Sequence, residues 1–219
     1  MSHWLGARKK YRSDRHAAGC PELAVSESES SEAQSFIDAW QAAWPEWRVA
    51  RVFVPEQQRA LAEHWFALLA ALTEIAGLEP VPAAAKLAWW QEELHAWGKR
   101  ARRHPLGQGL VRRALPWDAL ADALPALLNP ADEAALQRLA AVLADIEQTL
   151  FAENTEGRAR LYHDLRLILG QTPPKARGGT RPRRVLSALA RARQQRGGQL
   201  SAWQTLRCSW QAAREGDSA

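Results

Sequence analysis

The amino-acid sequence predicts an all-α fold, and three observations carry that expectation. Apolar residues recur three and four positions apart in one segment after another, the repeat of a single helix face. No segment alternates apolar and polar side chains as a half-buried strand does. Prolines and glycines stand at the joints between the periodic segments, where they open or close helices. With 219 residues, 47% of them apolar, the chain can bury one sizeable core, and a single helical domain over residues 34–214 accounts for the pattern.

The elements follow in order. In residues 1–33, Arg8, Lys9, Lys10, Arg12 and Arg15 make a basic start, and Ser26 to Glu32 is an acidic run with little to bury, so a disordered leader is expected there. Asp14 and the lack of an apolar face argue against an organelle transit peptide. A short helix then carries Phe36, Ile37, Trp40 and Trp44 on one side and stops at Pro45. Pro55 opens the next, with Leu61, Trp65, Leu68, Leu72 and Ile75 facing inward and Gly77 as a C-terminal cap. From Lys86 to Arg103, before Pro105, Leu87, Trp90, Leu94 and Trp97 form one stripe. Pro116 starts another helix, and Asn129-Pro130 with Asp132 and Glu133 begins one with Leu136, Leu139, Leu143, Ile146 and Leu150 inward. A shorter helix covers residues 157–169. Pro173, Pro174, Gly178, Gly179 and Pro182 mark a loop over 171–182. Two basic helices split at Gly197-Gly198 fill 183–214, and 215–219 is a tail.

The stretch Lys86-Leu87-Ala88-Trp89-Trp90-Gln91-Glu92-Glu93-Leu94, followed by Arg103-His104-Pro105-Leu106 and preceded by Pro55-Glu56-Gln57-Gln58-Arg59, is more specific than amphipathicity requires. It resembles the squalene and phytoene synthase family, best over residues 34–115. The resemblance implies an isoprenoid-synthase-like helical bundle, shortened here, around a central cavity bounded by Leu87, Trp89, Trp90, Leu94 and Trp97. It also implies a D-D-x-x-D motif just before K-L-x-W-W and a D-x-x-x-D motif further on. The first place reads Leu72-Thr73-Glu74-Ile75-Ala76-Gly77-Leu78-Glu79, with no aspartate; after Asp145 the only aspartates are Asp164 and Asp217, too far apart to share a metal.

Those absences decide the chemistry expected. Synthases of this family ionise an allylic diphosphate, and the leaving group is held by Mg²⁺ ions on clustered carboxylates. A lone Glu74 cannot supply the cluster. The first expectation is therefore a non-catalytic relative with no metal and no cofactor, a lipid-associated scaffold or assembly factor like the branch of the family that acts in respiratory complex I assembly. The second is a divergent Mg-dependent prenyltransferase drawing on Glu74, Glu79 or Glu93. The third, of another class, is a basic membrane-surface or nucleic-acid adaptor.

Other candidates have plainer readings. Asp118 and Asp122 lie four apart, as a metal pair does, but they follow Pro116 in the first turns of a helix, where its dipole favours acids. His64, His95 and His104 are not spaced as a metal set, and capping or helix-facing roles are expected. Glu93, three residues after Trp90, is expected to face inward and pair with an arginine of another helix; Glu92 faces solvent. Most of the eleven tryptophans are expected in the core. Cys20 and Cys208 form no C-x-x-C and no disulfide framework, so a reducing compartment is expected. There is no Walker loop, G-x-S-x-G, G-x-G-x-x-G or H-E-x-x-H.

Charge is segregated. From Leu165 through Arg214 there are eleven basic residues and no acid, while Phe53 to Leu165 holds fifteen acids against eleven bases. Lys175, Arg177, Arg181, Arg183, Arg184, Arg191, Arg193 and Arg196 are expected to contact an anionic surface, with Leu200, Trp203, Leu206 and Trp210 as the apolar face of the last helix. The partners expected are an anionic membrane surface, an isoprenoid lipid or an acidic protein; nucleic acid is disfavoured, since no reader motif accompanies the charge. No run approaches the roughly 18 apolar residues of a membrane span, so the expected place is the cytoplasm, peripheral at the inner membrane face.

Overall fold

A computed structural model describes residues 21–153, 155–171 and 176–215, with residues 21–30 described by backbone alone. The described residues form nine α-helices and no strand. In chain order these are α1 (Pro21–Ala43), α2 (Trp47–Ala50), α3 (Glu56–Thr73), α4 (Pro80–Gly98), α5 (Trp117–Ala123), α6 (Glu133–Phe151), α7 (Arg158–Ile168), α8 (Arg181–Arg196) and α9 (Ala202–Arg214), with 3₁₀ turns at Arg51–Phe53, Glu74–Gly77, Pro105–Gly107 and Leu124–Leu127. Helices adjacent in sequence pack as pairs, α4 on α5, α6 on α7 and α8 on α9, while α1 lies along α3 and α2 against α9.

Most stripes read from the sequence are buried faces, but in the first of them Ile37 and Trp40 are buried while Phe36 is 41% exposed, and Trp44 there and Leu61 in the next are only partly buried. Trp65, Leu68, Leu72 and Ile75, then Leu87, Trp90, Leu94 and Trp97, then Leu136, Leu139, Leu143, Ile146 and Leu150 are all buried. Six tryptophans, Trp40, Trp47, Trp65, Trp90, Trp97 and Trp117, are in the core. They meet edge to face where they touch, as indole quadrupoles prefer: Trp97 on Trp117 at 5.0 Å, and Trp40 on Trp47 at 5.4 Å.

Element ends depart from expectation for local reasons. Residues 1–20 of the expected leader lie outside the described residues, but α1 is helical from Pro21. Its run of Leu, Ala and Glu favours helix, and acids near a helix start suit the dipole. Gly77 is not a left-handed cap: it closes a 3₁₀ turn, and Leu78 (φ −91°, ψ 156°) and Glu79 (φ −61°, ψ 153°) leave it extended, because a residue before proline is pushed out of the helical region. α4 starts at Pro80 and ends at Gly98, short of the expected Arg103; Arg100 turns left-handed (φ 62°) and the chain runs irregularly to His104. The loop ahead of α8 ends at Thr180, and Gly197, left-handed at φ 70°, closes α8 where the Gly-Gly pair predicts the break. The tail beyond Glu215 lies outside the described residues.

Candidate functional site

A cleft of about 390 Å³ lies beside the K-L-x-W-W helix, between α1, α3 and α4. Its shape follows from side-chain size. Ala67, Ala70 and Ala71 recur on one face of α3, and Ala39 and Ala43 lie on α1. The indoles of the lining are Trp40 and Trp44 from α1 and its end, and Trp89 and Trp90 from α4. Methyl-sized floors between indole walls leave space that larger residues on α3 would fill. Trp89, 37% exposed, is the wall toward solvent, whereas Trp90 is buried at 2%.

The polar groups of the cleft are few. Glu74 and Lys86 pair with each other at 2.5 Å at its rim. The His104 ring lies 4.7 Å from the rings of both Phe36 and Trp90. Its Nδ1 accepts a hydrogen bond from the Leu106 amide at 3.1 Å, which puts the proton of the neutral ring on Nε2. Burial lowers the His104 pKa, with Lys86 lowering it further and Glu93 opposing; the ring presented to the cleft is neutral near pH 7.

Below the cleft, Glu93 holds His104 in place. The carboxylate is fully buried and accepts from the Trp97 indole (2.7 Å), the backbone amides of Arg103 (2.7 Å) and His104 (2.7 Å), and the Arg103 guanidinium (3.0 Å). Burial raises its pKa, but those donors outweigh burial and keep it below the usual carboxylate range. The expected arginine partner exists, but it comes from the loop after α4 and not from another helix. Gly107 completes the corner: a Cβ there would sit 2.9 Å from the Trp97 ring, so only glycine lets this turn cross the indole.

A second cavity of about 170 Å³ shares Trp40, Trp44 and Ala70 with the first and runs on past Phe66, Leu143 and Leu165 toward Asp164 and Arg183. Arg183 is buried, lies 5.0 Å over the Phe66 ring, and pairs with Glu147 and with Asp164. Glu147 also accepts from the Trp65 indole at 2.8 Å, and Ser187 donates to Asp164.

The structure does not bring the three acidic candidates together. Glu74 is tied to Lys86, Glu79 precedes α4 without lining the cleft, and Glu93 is consumed by its four donors. Among the described residues no group of three His, Cys, Asp or Glu side chains is placed to hold a metal ion. The cleft lining holds one carboxylate, Glu74, and it is paired with Lys86. Asp118 and Asp122 both face His95, at 2.7 and 3.6 Å, on the exposed side of α4 and α5. Among the signature residues, Leu87, Leu94 and Trp97 are core, and Trp89 and Trp90 reach the cleft.

The cationic surface expected from α8 is corrected more sharply. Arg183 and Arg184 are buried, and Arg184 donates to the carbonyls of Gly179, Ala212 and Ala213. Arg193 pairs with buried Glu46 and lies 4.3 Å over Trp44. The Arg181 amide is held by Glu153, and Arg191 points back at the Ser187 carbonyl. Arg177 and Arg196 are exposed, and Lys175 lies outside the described residues. What sequence reasoning missed is that Glu46, Glu147 and Asp164 are buried receptors for these arginines. The signal was present for Glu147, which follows Leu143 by four on the apolar face of α6 and so had to be buried with a partner. No family model, curated protein or solved structure matches the chain.

Proposed function

We propose that this chain is a non-catalytic protein of the squalene and phytoene synthase type whose cleft between α1, α3 and α4 takes the hydrocarbon chain of a lipid, an isoprenoid being the class its K-L-x-W-W helix suggests, and that it serves as a lipid-associated scaffold or assembly factor. One observation carries the reading. The cleft offers indoles and alanines to a ligand, while its one carboxylate, Glu74, is already paired with Lys86. Its volume of about 390 Å³ falls within the roughly 300–1,000 Å³ of sites for small ligands. Apolar walls reward the removal of a hydrocarbon from water by about 25 cal/mol per Å². A diphosphate would find only Lys86, and a departing pyrophosphate no clustered acids to bring Mg²⁺.

The test is titration of the full chain with farnesol and with farnesyl diphosphate plus Mg²⁺, read by tryptophan fluorescence and pyrophosphate release. Saturable quenching by farnesol, weakened in Trp89→Ala, is expected, with no pyrophosphate above a heat-inactivated control. Release above that control would establish the prenyltransferase reading, and failure of farnesol to bind saturably would remove lipid occupancy of the cleft.

A further inference from the structure

Helix α9 buries the wrong side chains for an ordinary core helix. Its inward residues are Thr205, Ser209, Ala212 and Ala213, all small. Its two indoles point the other way, Trp203 73% exposed and Trp210 49% exposed. Trp203, Arg207, Trp210 and Arg214 follow at intervals of four, three and four, so they form one stripe along the outer face. Arg214 lies 4.8 Å over the Trp210 ring. Sequence reading joins the indoles to Leu200 and Leu206 as one apolar face; in the fold Leu200 packs half-buried on the core.

The exposure is built into a fixed element. Ser201 and Gln204 form a complete capping box at the start of α9, and the buried Arg184 guanidinium caps its end through the carbonyls of Ala212 and Ala213. A helix pinned at both ends and packed through small residues holds its indoles out of the core as a permanent feature of the surface.

We infer that this outer stripe of α9 is a docking face for an anionic lipid bilayer. Three features favour that occupant. Indoles with a polar N–H on an apolar body sit where headgroups meet acyl chains, and arginines beside them reach lipid phosphates while their stems lie along the apolar layer. Arg207 and Arg214 are exposed on the stripe, α9 holds no acid, and Glu215 just beyond it pairs with Arg160, so the face carries charge complementary to an anionic surface. A nucleic-acid footprint needs many more free cations, and Arg183, Arg184 and Arg193 are spent inside the fold. Among the described residues no helix is long and apolar enough to cross a membrane, so the contact lies on the surface plane.

The experiment uses the full chain with phosphatidylcholine vesicles made with and without phosphatidylglycerol, and with a homopolymeric RNA as competitor. Wild-type protein binds the anionic vesicles, salt weakens binding, and lipids brominated near the headgroup quench its fluorescence. Trp203→Ser with Trp210→Ser lowers the partition coefficient by about tenfold or more per indole, and Arg207→Glu with Arg214→Glu by about fivefold or more per arginine. Arg138→Glu, the same charge change on the exposed side of α6, leaves it unchanged. All five positions face solvent, so far-UV circular dichroism stays that of the wild type. Farnesol quenching persists in the α9 variants, which separates this face from the cleft. Equal binding by wild type and the α9 variants, no binding to either vesicle, or displacement by RNA of a complex indifferent to lipid charge overturns the proposal.

Discussion

Glu93 decides where the chain goes after α4. A carboxylate with no exposure is tolerated because four donors surround it, three of them on one oxygen, and a buried charge so satisfied is held in its ionised form. Replacing it strands the amides of Arg103 and His104 and the Trp97 indole. Glu93→Ala is expected to cost about 3 kcal/mol of unfolding free energy, and Glu93→Gln, which keeps one acceptor oxygen, about half that; urea unfolding of the two variants measures both, and equal loss would show that charge and not the hydrogen-bond set is what matters. This residue also marks how far the site was legible. Trp90 and Trp97 announce themselves by spacing, since a stripe at three and four must be buried. That Glu93 faces inward follows from the same spacing. Its partners do not, because they arrive through a left-handed turn at Arg100, a conformation that no feature of an arginine foretells. His104 reaches the cleft only by that turn and by the packing of Phe36 from α1.

Among the elements, α8 is the one whose character the sequence disguises. Its composition reads as a solvated basic helix, yet Pro182, Arg183, Arg184, Val185, Ser187, Ala188 and Leu189 are buried. Arginines can sit there because Glu147 and Asp164 neutralise one and backbone carbonyls satisfy the other. Gly178 and Gly179, left-handed at φ 82° and 87°, turn carbonyls toward Arg160 and Arg184. Most helices were readable because apolar period is a local property, but the first half of α1, expected as part of a disordered leader, and the single turn of α2 carry too few apolar residues to announce themselves. The buried arginines were not readable, since pairing across α6, α7 and α8 is settled by tertiary contact and a charge run looks the same whether solvated or paired. Arg183→Met leaves two buried carboxylates facing each other without a cation, and about 3–5 kcal/mol of stability should be lost. Adding Glu147→Gln and Asp164→Asn should recover most of it in denaturant titration, because the polar set is then neutral and still hydrogen-bonded. A single variant as stable as wild type would mean that α8 is not pinned through this pair.

For the whole molecule, these buried ionic and imidazole groups imply a definite response to acid. His64, whose Nε2 lies 2.7 Å from the Leu106 carbonyl, and His104 are both pushed below the ordinary histidine value, chiefly by burial. A folded-state pKa below the unfolded one means that the unfolded chain takes up the proton first, so this stability is complete above about pH 6.5 and declines as pH falls below it. Glu46 and Glu93 are subject to burial, which raises their pKa, but hydrogen bonds reverse it: from Arg193 and Leu200 for Glu46, and from His104, Arg103 and Trp97 for Glu93. Their contribution is complete above about pH 4.3 and is lost as pH falls through the lowered folded values. Both sets have the same sign, and their windows lie in sequence. The thermal midpoint of the full chain should therefore fall in two stages on acidification, the first beginning near about pH 6.5 and the second below about pH 4.3. The pair of substitutions His64→Gln and His104→Gln should flatten the first stage and leave the second, while Glu46→Gln should shallow the second alone. A midpoint that stays level or rises between about pH 7 and about pH 5 would contradict this assignment, since neutral buried imidazoles cannot be protonated in the fold without cost.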